Sequence, residues 1–177
     1  MKFNLAASID ILERTPSVLN TLLSGLSEDW TMHNEGPETW SPYDVMGHLI
    51  HGEQTDWIPR TEIILSDSED KRFTPFDRFA QFEASKGKSL QDLLSEFEHL
   101  RGENIAKLKA FNLTEEDLIK TGTHPAFGDI TLKDMLSAWT VHDLGHIVQI
   151  SRVMAKQYIE EVGPWTQYLA VLNPKAT

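Results

Sequence analysis

Cysteine is absent from all 177 residues. Its absence excludes disulfides, thiolate metal ligands and a cysteine nucleophile, and it fits a reducing compartment, so a cytoplasmic location is expected. No apolar run reaches the roughly 18 residues that a membrane-spanning helix needs. The first ten residues carry one lysine and an apolar run interrupted at Asn4 and ended by Asp10, so no signal-peptide core is expected there. Positive charge is also scarce: 16 Lys and Arg against 27 Asp and Glu leave a net charge of −11. That balance argues against a nucleic-acid backbone or an anionic membrane as partner and leaves a small molecule or a protein. Internal repeats, low-complexity segments and alternating strand patterns are missing too. One domain spanning residues 1–177 is expected, long enough to bury a core without covalent staples.

What the sequence does contain is helix punctuation. Ser41-Pro42-Tyr43-Asp44 puts a capping serine before a proline at the first helical position, with an acid where the helix dipole favours negative charge. Ser89-Leu90-Gln91-Asp92 and Thr131-Leu132-Lys133-Asp134 repeat the pattern, and Thr114-Glu115-Glu116-Asp117 does so for a shorter turn. The spacing predicts helices from Pro42 to about Leu65, bent or broken by Pro59, from Leu90 to about Phe111, and from Leu132 to about Tyr158. A first helix carries Ile9, Leu12, Leu19, Leu22, Leu23 and Leu26, with Pro16 either kinking it or opening its main part behind Thr15.

Two long connections separate these helices. The first, Asp67 to Lys88, is charged but carries Phe73, Phe76, Phe79 and Phe82, rings expected to need cover and to pack over a groove or end of the bundle as a pocket wall. The second holds one short helix and a turn through Gly122-Thr123-His124-Pro125-Ala126-Phe127-Gly128. Up-and-down bundles have short loops, so an all-α four-helix bundle with long crossovers is the economical architecture.

Function is addressed most directly by histidine. His142 and His146, four apart, project from one helix face within reach of one divalent ion, and a third imidazole from the second helix would complete the set. Seven histidines in a chain of this length give such a pair by chance roughly 0.27 times, so context must carry the inference. On the second helix His48 and His51 are both available, and spacing does not choose between them. Gln149 shares the stripe of His142 and His146 and could orient a ligand or a bound water, whereas Asp143 points about 100° away. Asp44 could accept a proton from the non-ligating nitrogen of His48, in competition with its capping duty. Candidates for a general acid or base are Asp44, Asp143, His51 and Gln149. Arg60, Arg78 and Arg101 are candidate binders of an anionic thiol or substrate, although for each an exposed side chain on an acidic surface is the prior expectation. A di-iron reading of Glu96-x-x-His99 lacks the second such motif and the two further glutamates it needs. Gly87-Lys88-Ser89 lacks the first glycine and the preceding strand of a phosphate loop, and neither Gly-x-Ser-x-Gly nor His-Glu-x-x-His occurs.

Several of these residues together resemble the DinB superfamily, which also includes bacillithiol S-transferases and related thiol-dependent enzymes. They are Trp40-Ser41-Pro42 leading to His48, His124-Pro125 and Gly128, Trp139-x-x-His142-Asp143-x-x-His146-x-x-Gln149, and Gly163-Pro164-Trp165. The resemblance implies an up-down-down-up four-helix bundle and a divalent ion, nickel, zinc or similar, held by His48, His142 and His146, which disfavours His51. It also implies a homodimer, and no DNA binding despite the family's name. Members include hydrolases, thiol transferases and an isomerase, so the substrate stays open.

The expectation is an enzyme whose three-histidine ion activates water or a low-molecular-weight thiol toward a small-molecule substrate. The competing class is a non-catalytic metal-binding bundle that binds a small ligand or acts as a stress-response interaction protein. Three imidazoles leave coordination open, which favours catalysis over a closed structural site.

Overall fold

The computed structural model describes residues 1–173. Its helices, in chain order, are α1 (Leu5–Leu23), α2 (Glu28–Thr31), α3 (Pro42–Thr55), α4 (Trp57–Leu65), α5 (Ala80–Ala84), α6 (Leu90–Ala110), α7 (Glu115–Leu118) and α8 (Leu132–Lys156). A 3-10 turn follows at Gly163–Gln167. All four Ser/Thr-x-x-Asp signals open helices as reciprocal capping boxes, before α3, α6, α7 and α8. Among the described residues no helix is long and apolar enough to cross a membrane.

Helices α1, α3 with α4, α6 and α8 form a four-helix bundle. Side-chain pairs give the directions. Tyr43 reaches Lys88 and Gln54 reaches Glu96, so α3 and α6 run parallel. Ser24 meets Gln91 while Glu13 meets Lys109, so α1 opposes α6. His48 meets His142 while Glu53 meets Trp139, so α3 opposes α8. The order is therefore up-down-down-up, and the long connection from α4 to α6, which joins parallel helices, is the crossover that this order demands, whereas the second long connection joins the antiparallel α6 and α8.

The core has two apolar blocks. One gathers Leu12, Trp57, Ile58, Ile105, Leu136 and Trp139 with their neighbours, and the other gathers Leu19, Leu23, Met46, Leu49, Phe97 and Ile150 with theirs. Between them lies a buried polar layer centred on Arg101, which is 1% exposed. Arg101 donates to Asp143 from both terminal nitrogens (2.6 and 3.1 Å), to Glu53 (2.7 Å) and to the Leu12 carbonyl (2.8 Å). The last bond follows from the sequence. Pro16 has no N–H, so the Leu12 carbonyl loses its helical partner, and Arg101 takes that place. Pro16 thus sits inside a continuous α1 rather than opening it. Asn104 donates to Glu53 Oε2 (3.0 Å), and Trp139 Nε1 donates to Glu53 Oε1 (3.3 Å). Burial alone would lower the Arg101 pKa, but the carboxylates of Asp143 and Glu53 outweigh it and hold the guanidinium above its ordinary value. Arg101 is therefore neither an exposed side chain nor an anion binder: a buried charge with two carboxylate partners is already satisfied.

Other local expectations change as well. The second helix breaks at Asp56 (φ −106°, ψ −71°), three residues before Pro59, because the proline ring collides with the carbonyl four residues back, that of Thr55. The turn around Gly122–Gly128 is a β-hairpin, β1 (Thr121–His124) paired antiparallel with β2 (Gly128–Thr131). Its loop, residues 125–127, runs into Gly128, the first residue of β2, whose φ of +72° is a left-handed conformation that favours glycine. Residues 71–73 lie along the free edge of β1 through Phe73 N–H to Thr123 O and Thr123 N–H to Lys71 O. A side chain at Gly122 would stand 2.5 Å from the Phe73 ring, so only glycine lets this segment close. Phe73 is buried, whereas Phe79 and Phe82 are 67% and 41% exposed. The expected cover for those two rings is absent because they face an open cleft.

Replacing Arg101 by Met strands two buried carboxylates and the Leu12 carbonyl, and should cost about 3–5 kcal/mol in urea unfolding. A loss under about 1 kcal/mol would contradict the role given to this network.

Candidate metal centre

Helices α3 and α8 bring His48, His142 and His146 together at the level of the polar layer. His48 Nε2 lies 3.1 Å from His142 Nε2, which lies 3.0 Å from His146 Nε2. The three candidate ligand atoms all fall within 4.8 Å of one another. Two imidazoles on one tetrahedral ion stand about 3.3 Å apart, so a divalent ion fits this donor set. Among the described residues no carboxylate or fourth imidazole joins the cluster.

Each ring is positioned by its surroundings. His48 packs between Trp40 (4.8 Å between centroids) and the edge of Phe76 (5.3 Å). His142 meets the edge of Trp57 (5.2 Å), which stacks in turn on Trp139. The Nδ1–H of His146 donates to Gln149 Oε1 (2.8 Å), which leaves the Nε2 lone pair for a ligand. Nδ1 of His48 and of His142 are buried without a hydrogen-bond partner among the described residues.

Protonation follows from burial. Desolvation, then the neighbouring His146 charge, pushes His48 down to about 3 and His142 down to about 2. Burial also lowers His146, against the Gln149 hydrogen bond and the Asp143 charge. All three rings are neutral at neutral pH, the form in which imidazole binds a metal.

The cluster opens into a cleft of about 1260 Å³ walled by Trp40, Phe76, Phe79 and Phe82 and, from the hairpin, by His124 and Phe127. His124 stacks on Phe127 (4.4 Å) and accepts from the Ala126 N–H. Gln149 also lines the cleft. Asp44 does not line it: its carboxylate accepts from the N–H and the hydroxyl of Ser41, and its own N–H donates to the Ser41 hydroxyl oxygen. Asp143 points into the core and is held by Arg101. His51 meets the Phe76 ring at a tilt (4.7 Å, 51°) outside the cluster, and Arg60 is buried against Asp56 (2.6 Å). Glu96 pairs with Lys88 and His99 with Glu103, so the Glu-x-x-His pair serves the surface and no di-iron site forms around it.

Asp56, not singled out from the sequence, lines the cleft because the helix breaks there. Burial raises its carboxyl to about 6, against the pull of Arg60. The available signal was the Asp56/Arg60 pair four apart beside Pro59. Glu53 was missed for a different reason: it continues the apolar spacing of Val45, Met46, Leu49 and Ile50, and only its partners on other helices reveal its burial.

A family model described as the DinB superfamily matches residues 11–150. In three dimensions the chain is similar to YfiT from Bacillus subtilis, described as a probable metal-dependent hydrolase with an unusual four-helix bundle topology. The TM-score is 0.73 over 91% of this chain and 89% of that one, with 21% of residues identical, a likeness of fold. No curated protein matches the chain in sequence.

Two outcomes are expected. Gln149→Leu should weaken zinc binding about 10–100-fold by freeing the His146 ring, and unchanged affinity in a competition titration would remove Gln149 from the site. The second concerns acid. His48 and His142 have folded pKa values below the ordinary 6.5, so the unfolded chain binds more protons in that window. Their contribution to the metal-free fold is complete above pH 6.5 and is lost as pH falls toward about 3. A His48→Gln/His142→Gln double variant should therefore lose stability less steeply across this window than the parent, and parallel curves would contradict the assignment.

Proposed function

The chain belongs to the DinB superfamily, and on that premise we propose that it is a metal-dependent hydrolase whose divalent ion is held by His48, His142 and His146. The observation that carries this reading is the convergence of three neutral imidazole nitrogens in the wall of an open cleft with no fourth donor among the described residues. A structural ion would be closed off by four protein ligands, whereas three leave room for water and substrate. The ion, when bound, would bring its water toward a pKa of roughly 7 and polarise a substrate carbonyl.

The protein's own residues do the rest. Gln149 holds His146 with Nε2 turned toward His142 Nε2, where it would help hold the ion, and the bond also makes that nitrogen a better donor. Trp40, Phe76 and Trp57 keep solvent away from the backs of the ligand rings, which strengthens electrostatic effects at the site. Asp143 follows His142 in sequence and is locked to Arg101 and through it to Glu53 of α3, so the two ligand-bearing helices keep their register. A low-molecular-weight thiol would use the same three nitrogens, and no group in the cleft favours it over water.

The test is elemental analysis of tag-free protein beside His48→Ala, His142→Ala and His146→Ala, followed by turnover of a nitrophenyl ester panel by the nickel- and zinc-loaded forms. About one equivalent of metal in the parent, little in the variants, and turnover that chelation abolishes while helicity persists would support the hydrolase. Loss of the fold on chelation would support a structural ion instead, and a parent that takes up neither ion would remove the metal reading.

A further inference from the structure

Three guanidinium groups line the cleft, those of Arg60, Arg78 and Arg152. Two are committed. Arg60 is held by Asp56 at 2.6 Å, and Arg152 by Glu35 at 2.6 Å. Arg78 is exposed and, among the described residues, forms no hydrogen bond or ion pair. Its neighbour Asp77 accepts from the Phe79 N–H (2.9 Å) and, among the described residues, forms no ion pair with it. The Arg78 charge nevertheless reaches the histidine cluster, where it is one of the influences that disfavour protonation of His48. A cation facing a cleft without a partner stands out in a chain of net charge −11, whose surface as a whole repels anions.

The adjoining wall is apolar. Phe79 and Phe82 stack at 6.3 Å and 17° and stay 67% and 41% exposed, although an aromatic ring gains substantially from being covered. We propose that the cleft binds an amphiphilic carboxylate, its charged end on Arg78 and its apolar body on Phe79 and Phe82. This names the substrate class of the metal site and rests on the hydrolase reading only for the reaction that follows binding. Guanidinium matches carboxylate with two parallel hydrogen bonds, which an alcohol of the same shape cannot reproduce. Glu38 also lines the cleft and, among the described residues, forms no hydrogen bond or ion pair, and it plays no attractive part toward such a ligand.

The test compares 4-phenylbutyrate with 4-phenylbutan-1-ol by titration calorimetry, in the metal-free and the zinc-loaded protein. The acid should bind the metal-free parent about tenfold more tightly than the alcohol. Arg78→Gln should erase that preference, Phe79→Ala/Phe82→Ala should weaken both ligands alike, and Glu38→Gln should bind the acid at least as well as the parent. Equal binding of acid and alcohol, or a preference that survives Arg78→Gln, would overturn the proposal. The metal-free arm separates the two readings. A preference that exists only with zinc and ignores Arg78 sinks this proposal and leaves the metal site standing, while an Arg78-dependent preference in a protein that takes up no metal does the reverse.

Discussion

Arg101 carries a full positive charge into the middle of a helical bundle, where an unpaired ion would cost several kcal/mol, and the surrounding structure is arranged to satisfy it. Its partners come from every other long helix: the Leu12 carbonyl from α1, Glu53 from α3 and Asp143 from α8. Phe97 and Trp139 lie 4.8 and 5.2 Å from the guanidinium and close it off from water. Such a network need not be worth more than an apolar core of the same volume. What it does impose is register, because a shift of any helix by one turn would leave a buried carboxylate or carbonyl without its donor.

That register positions the histidines. His142 precedes Asp143 in α8, and His48 stands five residues before Glu53 in α3, so anchoring the two carboxylates on one guanidinium fixes where the imidazoles meet. Metal ligands on packed helices are held more firmly than ligands on loops, and here the indoles of Trp57 and Trp139 fill the space between network and site. The loops do the complementary work. The phenylalanine-bearing crossover and the hairpin, joined edge to edge at residues 71–73 and Thr123, form the walls above the histidines.

Much of this is legible in the amino-acid order because it is local. Helix starts depend on a serine or threonine and an acid three residues later, and the four capping boxes stand where that spacing places them. The pair His142 and His146 is legible as helix periodicity, whereas the preference for His48 over His51 needed a family resemblance before the cluster geometry placed His48 beside His142. The Arg101 network is hidden for a physical reason. Arg101 continues the stripe of Leu93, Leu94, Phe97, Ile105 and Leu108, and a charge in an apolar phase reads as a surface residue unless partners 42 to 89 residues away are known. The hairpin escapes because strands of four residues containing Gly122 and Gly128 show no alternation, and their pairing depends on the crossover lying against them.

The central claim is that one divalent ion sits on the three imidazole nitrogens that the buried network brings together. Anomalous diffraction at the nickel or zinc edge from crystals of the loaded protein tests it most directly. A single peak about 2.0–2.2 Å from Nε2 of His48, His142 and His146 is the predicted result. A peak elsewhere, for example between Glu96 and His99, or none at all from fully loaded crystals, would contradict it.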